Sequence, residues 1–136
     1  MGRREQREQI FKLLFRVEFN AVEDMPEQLQ LFFEEAERPA SDADRQYITG
    51  KYERIMEKLP EIDRMLNEKA EKWTTARMGK VELTILRLAL YEMFYDDAIP
   101  EKVSINEAVE LAKKFGGNDS PSFVNGILAK FVVKGA

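Results

Sequence analysis

The sequence predicts an all-α fold of about seven helices, and three observations predict it. Apolar residues recur at the 3.6-residue period almost everywhere, and no segment sustains the alternation of a half-buried strand. Capping residues, prolines and glycines fall between these periodic segments, where helices start and stop. One segment, Lys80 to Phe94, is apolar nearly all round, as a helix surrounded by others must be.

The elements follow in order. A first helix runs roughly from Arg3 to Phe19, with Ile10, Leu13, Leu14 and Val17 on one arc. Asp24 caps a second, with Pro26 in its first turn, where a missing N–H costs nothing. Its face is Leu29, Phe32, Phe33 and Ala36, and Arg38-Pro39-Ala40 ends it. Ser41 caps a third helix, with Asp42 and Asp44 near the positive end of its dipole and Ile48, Tyr52, Ile55, Met56 and Leu59 as its stripe. Pro60 opens a fourth, carrying Ile62, Met65, Leu66, Lys69 and Trp73, and residues 74–79 connect it to the apolar fifth. Ser104 and Glu107 form a capping box for a sixth helix with Ile105, Ala108, Val109, Ala112 and Phe115 inward. Gly116-Gly117 stops it, and Asn118-Asp119-Ser120-Pro121 starts a seventh with Phe123, Val124, Ile127, Leu128, Phe131 and Val132.

With 136 residues, 44% of them hydrophobic, and no internal repeat or long linker, residues 1–136 are expected to form a single domain. Neither Cys nor His occurs, which excludes disulfides, thiolate nucleophiles, His-dependent triads and Cys or His metal sites. The lack of Cys accords with a reducing cytosol. No secretory signal is apparent at the start, and no apolar run is long enough for a membrane span, so a cytoplasmic protein without a membrane partner is expected. The carboxylate pairs Glu34-Glu35, Asp42-Asp44 and Asp96-Asp97 read as caps and solvated faces, because neighbouring helical side chains diverge by about 100°. No enzyme, cofactor or metal is indicated. A glycine pair before a helix invites a phosphate-loop reading, but no strand precedes it and no G-K-[ST] follows. Arg87, on the most apolar helix, needs a carboxylate partner, and Glu107 is the candidate.

The net charge of −4 makes any nucleic-acid site a local patch. Arg3, Arg4 and Arg7 fall within about one-third of a turn at a helix N-terminus. Cations are locally unfavourable there, unless a phosphate turns dipole, N–H groups and guanidinium forks to one purpose. The alternative is a solvated terminus balanced by Glu5 and Glu8. Phe123, just inside the last helix, is either a core residue over Ile127 or a platform for a base.

Three blocks carry a family resemblance: 81–92 (VELTILRLALYE), 99–113 (IPEKVSINEAVELAK), and Phe115-Gly116 with Asp119-Ser120 and 123–128 (FVNGIL). In this order and spacing they resemble the NusB family of bacterial transcription antitermination factors, most closely over residues 79–128. The resemblance implies two packed three-helix-bundle halves. It also implies binding to the boxA element of nascent ribosomal RNA, as a heterodimer with the small-subunit ribosomal protein known as NusE, within the transcription elongation complex. The family's arginine-rich N-terminus maps onto Arg3, Arg4 and Arg7, diluted here by Glu5 and Glu8. Asp119, Ser120 and Phe123 join the RNA side by position in the family pattern, and Phe15 and Glu82 the partner side. The competing class is a protein-interaction module, including a homodimer, that binds no RNA sequence-specifically.

Overall fold

In the computed structural model, which describes residues 1–132, six α-helices account for nearly all the regular structure. They are α1 (Arg3–Phe15), α2 (Met25–Glu34), α3 (Asp42–Lys69), α4 (Lys80–Tyr95), α5 (Glu101–Phe115) and α6 (Ser120–Ala129). Two short 3-10 turns, Arg16–Glu18 and Val22–Asp24, join α1 to α2. No strand occurs among the described residues. The chain divides into two compact units, Met1–Met56 and a second from Glu57 onward.

In the first unit, Ile10, Phe11, Leu13 and Leu14 of α1 are buried, as are Met25 and Phe32 of α2 and Ile48, Tyr52 and Ile55 of α3. Arg16 ties the first 3-10 turn to α2. Its guanidinium donates to Gln28 Oε1 at 3.1 Å and to Glu35 at 3.0 Å, and lies over the Phe32 ring. Ser41 caps α3 as the sequence predicts, its Oγ accepting the Asp44 N–H at 3.1 Å.

The second unit is built around α4, which packs on α5 and α6 while these pack on each other. Leu83 to Leu86 and Leu88 to Glu92 are all buried, which accounts for the apolar circumference of this segment. Arg87 is held by Asp63 of α3, with Nε and Nη2 each 2.9 Å from a carboxylate oxygen. The bidentate partner thus lies on the preceding helix.

Asp24 precedes α2 without a side-chain capping bond, α1 ends at Phe15 with Val17 in a 3-10 turn, and three further expectations change. The predicted third and fourth helices are one helix, and Pro60 lies inside it. An interior proline forfeits a backbone hydrogen bond and crowds the preceding turn, at a cost of about 3 kcal/mol. Ile48, Tyr52, Ile55, Ile62 and Leu66 nevertheless keep one helical phase across it and are all buried, while Pro60 itself is exposed. Each such side chain contributes about 1.5–3 kcal/mol on burial, so the continuous stripe outweighs the proline. The count therefore falls from seven helices to six. Second, α3 stops at Lys69, so Trp73 lies in the following loop and not on a helix. Third, α5 begins at Glu101, placing Ser104 inside the helix, where it is buried and its Oγ has no hydrogen-bond partner. The S-x-x-E pattern is not a capping box here, because Pro100, with its fixed φ and no N–H to lose, already starts the helix one turn earlier.

Candidate nucleic-acid interface

The predicted site residues fall on three helix starts and one aromatic row. In the first unit, Gly2 precedes α1 with extended backbone and no side-chain cap, so the first-turn N–H groups have no side-chain acceptor from it. Arg3 and Arg4 are exposed there, whereas Arg7, one turn on, is only 8% exposed. The arginine cluster thus divides into two surface cations and one buried one. Glu5, in the same turn, lies 4.0 Å from Arg38.

Phe15 sits half-buried in a row at i, i+4 spacing. It stacks on Phe11 at 6.0 Å between centroids and meets Phe19 edge-on at 5.0 Å. The row ends at the surface, with Phe19 60% and Val22 69% exposed. Sequence reading had Phe19 only as the end of a helix and gave Val22 no role. Their signal was that they fall outside the buried stripe yet are large and apolar.

In the second unit, Asp119, Ser120 and Phe123 come together at the start of α6. Asp119 occupies the N-cap position with helical backbone, makes no capping bond and leaves its carboxylate exposed. Ser120 is buried, and its Oγ accepts the Gly117 N–H at 3.0 Å. A Cβ on Gly116 would stand 2.5 Å from both Cβ and Oγ of Ser120, so only glycine permits this close turn. Phe123 is half-buried, and its ring meets Trp73 at 5.5 Å, nearly perpendicular. The helical spacing predicts Trp73 on a helix face and gives no sign of the Trp73–Phe123 pair. Nothing local in the sequence signals a contact between residues fifty positions apart.

Glu82 is the third residue of α4 and is half-buried. Its Oε1 lies 2.5 Å from where a Cβ on Gly79, the N-cap, would be, so the carboxylate folds back over the positive end of the helix.

No group of three or more Asp or Glu side chains that could hold a metal occurs among the described residues. No helix among them is long and apolar enough to cross a membrane.

Comparison with known proteins identifies the family. The family model described as "NusB family" matches residues 4–133. The transcription antitermination protein NusB of Agathobacter rectalis is 52% identical over 131 residues, covering 96% of this chain and 99% of its own. That of Lachnoclostridium phytofermentans is 48% identical, with 97% and 99% covered. Among solved structures, NusB of T. maritima superposes with a TM-score of 0.83 at 35% identity, covering 96% of this chain and 89% of that one. A structure of antitermination factors NusB and NusE in complex with double-stranded RNA has a TM-score of 0.79, with 95% and 96% covered. At 24% identity it speaks to the fold alone. With a family model spanning almost every residue and relatives about half identical end to end, the chain belongs to the NusB family.

Proposed function

We propose that this chain is a transcription antitermination factor that binds boxA-type single-stranded RNA. It does so as a heterodimer with the small-subunit ribosomal protein acting as NusE. In this reading it works in the cytoplasm as a single RNA-binding domain within the transcription elongation complex, supporting ribosomal RNA transcription. It is a binding platform and not an enzyme.

The observation that carries the reading is the start of α6, where a half-exposed aromatic and an uncommitted carboxylate share one helical turn. A π face accepts an unstacked base, and an exposed carboxylate accepts hydrogen bonds from base amino groups. Ser120 contributes through the main chain, by fixing the glycine turn from which the helix starts. Arg3 and Arg4 supply phosphate contacts that add affinity without sequence information. A duplex fits less well, since a helix cannot enter the deep major groove of A-form RNA. Phe15 and Glu82 belong to the protein-partner side. The exposed Phe19 and Val22 that continue the Phe15 row support a protein contact there. The same exposed pair favours one second reading, a homodimer through that face.

The test is a comparison of RNAs. Phe123→Ala should weaken binding of boxA-type RNA by about 5- to 150-fold, from the value of one base–aromatic stack. It should weaken a scrambled strand of equal length much less. Equal binding of boxA-type, scrambled and duplex RNA by the unsubstituted protein would overturn the reading. Sedimentation without RNA then decides whether a homodimer takes its place.

A further inference from the structure

The loop between α3 and α4 is built with more order than a connector needs. Asn67 Oδ1 accepts the Thr75 N–H at 2.8 Å, and the Trp73 N–H donates to the Ala70 carbonyl at 3.0 Å. The N–H groups of Arg77 and Met78 both donate to the Thr74 carbonyl. Arg77 Nη1 reaches back to the Lys72 carbonyl at 3.1 Å. The loop opens at Glu71, which has a φ of 54° and is the non-glycine residue with left-handed backbone among those described. Such conformations persist only where the surroundings over-determine them. This ordered loop holds Trp73, the single tryptophan of the chain, 39% exposed and against Phe123.

Its charge is as distinctive. Residues 69–80 carry Lys69, Lys72, Arg77 and Lys80 against Glu71, with the Glu82 carboxylate folded over Gly79 at the far end of the loop, in a protein of net charge −4. The Arg77 guanidinium carbon lies 5.8 Å from the centre of the Trp73 ring. An exposed indole beside a guanidinium disfavours a cationic ligand and suits one with a flat aromatic part and an adjacent negative charge. An unpaired nucleotide is such a ligand.

We infer that the loop from Ala70 to Gly79 is a second nucleotide subsite, in which Trp73 stacks an unpaired base and Arg77 takes the neighbouring phosphate. This rests on the RNA reading above and extends it from α6 across Phe123 to a second element.

The test uses the full chain paired with the small-subunit ribosomal protein, and a fluorescein-labelled boxA-type single strand. Trp73→Ala should weaken binding by about 5- to 150-fold, and Trp73→Phe should retain most of it. Arg77→Gln should flatten the plot of log K against log salt by about 0.7. Tryptophan emission, taken as the difference between the unsubstituted pair and the Trp73→Phe pair, should change on RNA binding. That measurement decides even if Trp73→Ala fails to fold, and an unchanged emission at saturating RNA overturns the inference. So does a folded Trp73→Ala variant with unchanged RNA affinity. If Phe123→Ala is weakened in the same series, the RNA reading survives and only the subsite is lost. Loss of ribosomal-protein binding alone by Trp73→Ala would make the loop a protein contact and overturn the subsite. No RNA binding by any form would overturn both.

Discussion

Replacing Arg3 and Arg4 with alanine removes two exposed guanidinium groups from the first turn of α1 and leaves the buried residues Ile10, Phe11, Leu13 and Leu14 untouched. A cation that neutralises one phosphate of a single strand contributes about −0.7 to the slope of log K against log salt. The pair should therefore flatten that slope by about 1.4. Counting all three arginines as surface cations gives about 2, and the burial of Arg7 makes the smaller figure the expected one. Arg7→Ala should instead leave the slope within error and lower stability by about 2 kcal/mol, as truncation of a buried, partnered side chain does. The assay is fluorescence anisotropy of labelled boxA-type and scrambled RNA across a salt series, with urea unfolding of each variant. The double variant should lose affinity for both RNAs alike, because phosphate contacts carry little sequence information. Its stability should hold or rise slightly, since positive charge leaves the positive end of a helix. An unchanged slope for the double variant, or a loss confined to the boxA-type strand, would refute the charge assignment.

Three further outcomes are expected. Gly116→Ala should cost about 1–3 kcal/mol in thermal unfolding, because its Cβ would meet the Ser120 side chain and the Ala112 carbonyl, whereas Gly117→Ala, with open space around it, should be nearly neutral. Asp63→Ala strips the bidentate partner from an Arg87 side chain only 13% exposed; since Asp63 is less buried, about 2 kcal/mol lies between the exposed and fully buried cases, and urea unfolding should recover most of it in Asp63→Leu/Arg87→Met. The Asp44 carboxyl is held below the ordinary aspartate value of 3.8, chiefly by the Gln6 amide, with the Met1 amine and Ser41 hydroxyl adding to it. Its contribution to stability is therefore present above that value and fades as pH falls through the lowered one, so an NMR titration should show the midpoint move up in Gln6→Ala.

What was legible in the sequence was mostly periodic. The Ile10, Leu13 and Leu14 stripe on α1, the Ser41 cap, the apolar circumference of α4 and the proline-marked start of α6 all depend on local spacing and appear where the spacing puts them, whereas Val17 lies half-buried in the turn after α1. The errors lie where a local signal competes with distant packing. Pro60 is a strong breaker only until a stripe on both sides of it is buried in the same phase. Lys51 stands in phase with Ile48 and Ile55 and is buried with them, yet a lysine at such a position reads as a solvated stem. At the candidate interface, the proximity of Asp119, Ser120 and Phe123 is readable because they are neighbours in sequence, whereas their assignment to RNA comes from the family resemblance. The Trp73–Phe123 contact and the division of the arginines into exposed and buried members depend on how separate segments meet, and no local pattern encodes that.

The central claim, sequence-dependent RNA binding assisted by a protein partner, is tested most directly by one titration. Labelled boxA-type RNA and a scrambled strand are titrated with the chain at zero and at saturating small-subunit ribosomal protein. Tighter binding of the boxA-type strand is expected, with the partner raising that affinity by about 5- to 150-fold, the usual range for coupled sites. Equal affinities for the two strands, unchanged by the partner, would contradict it.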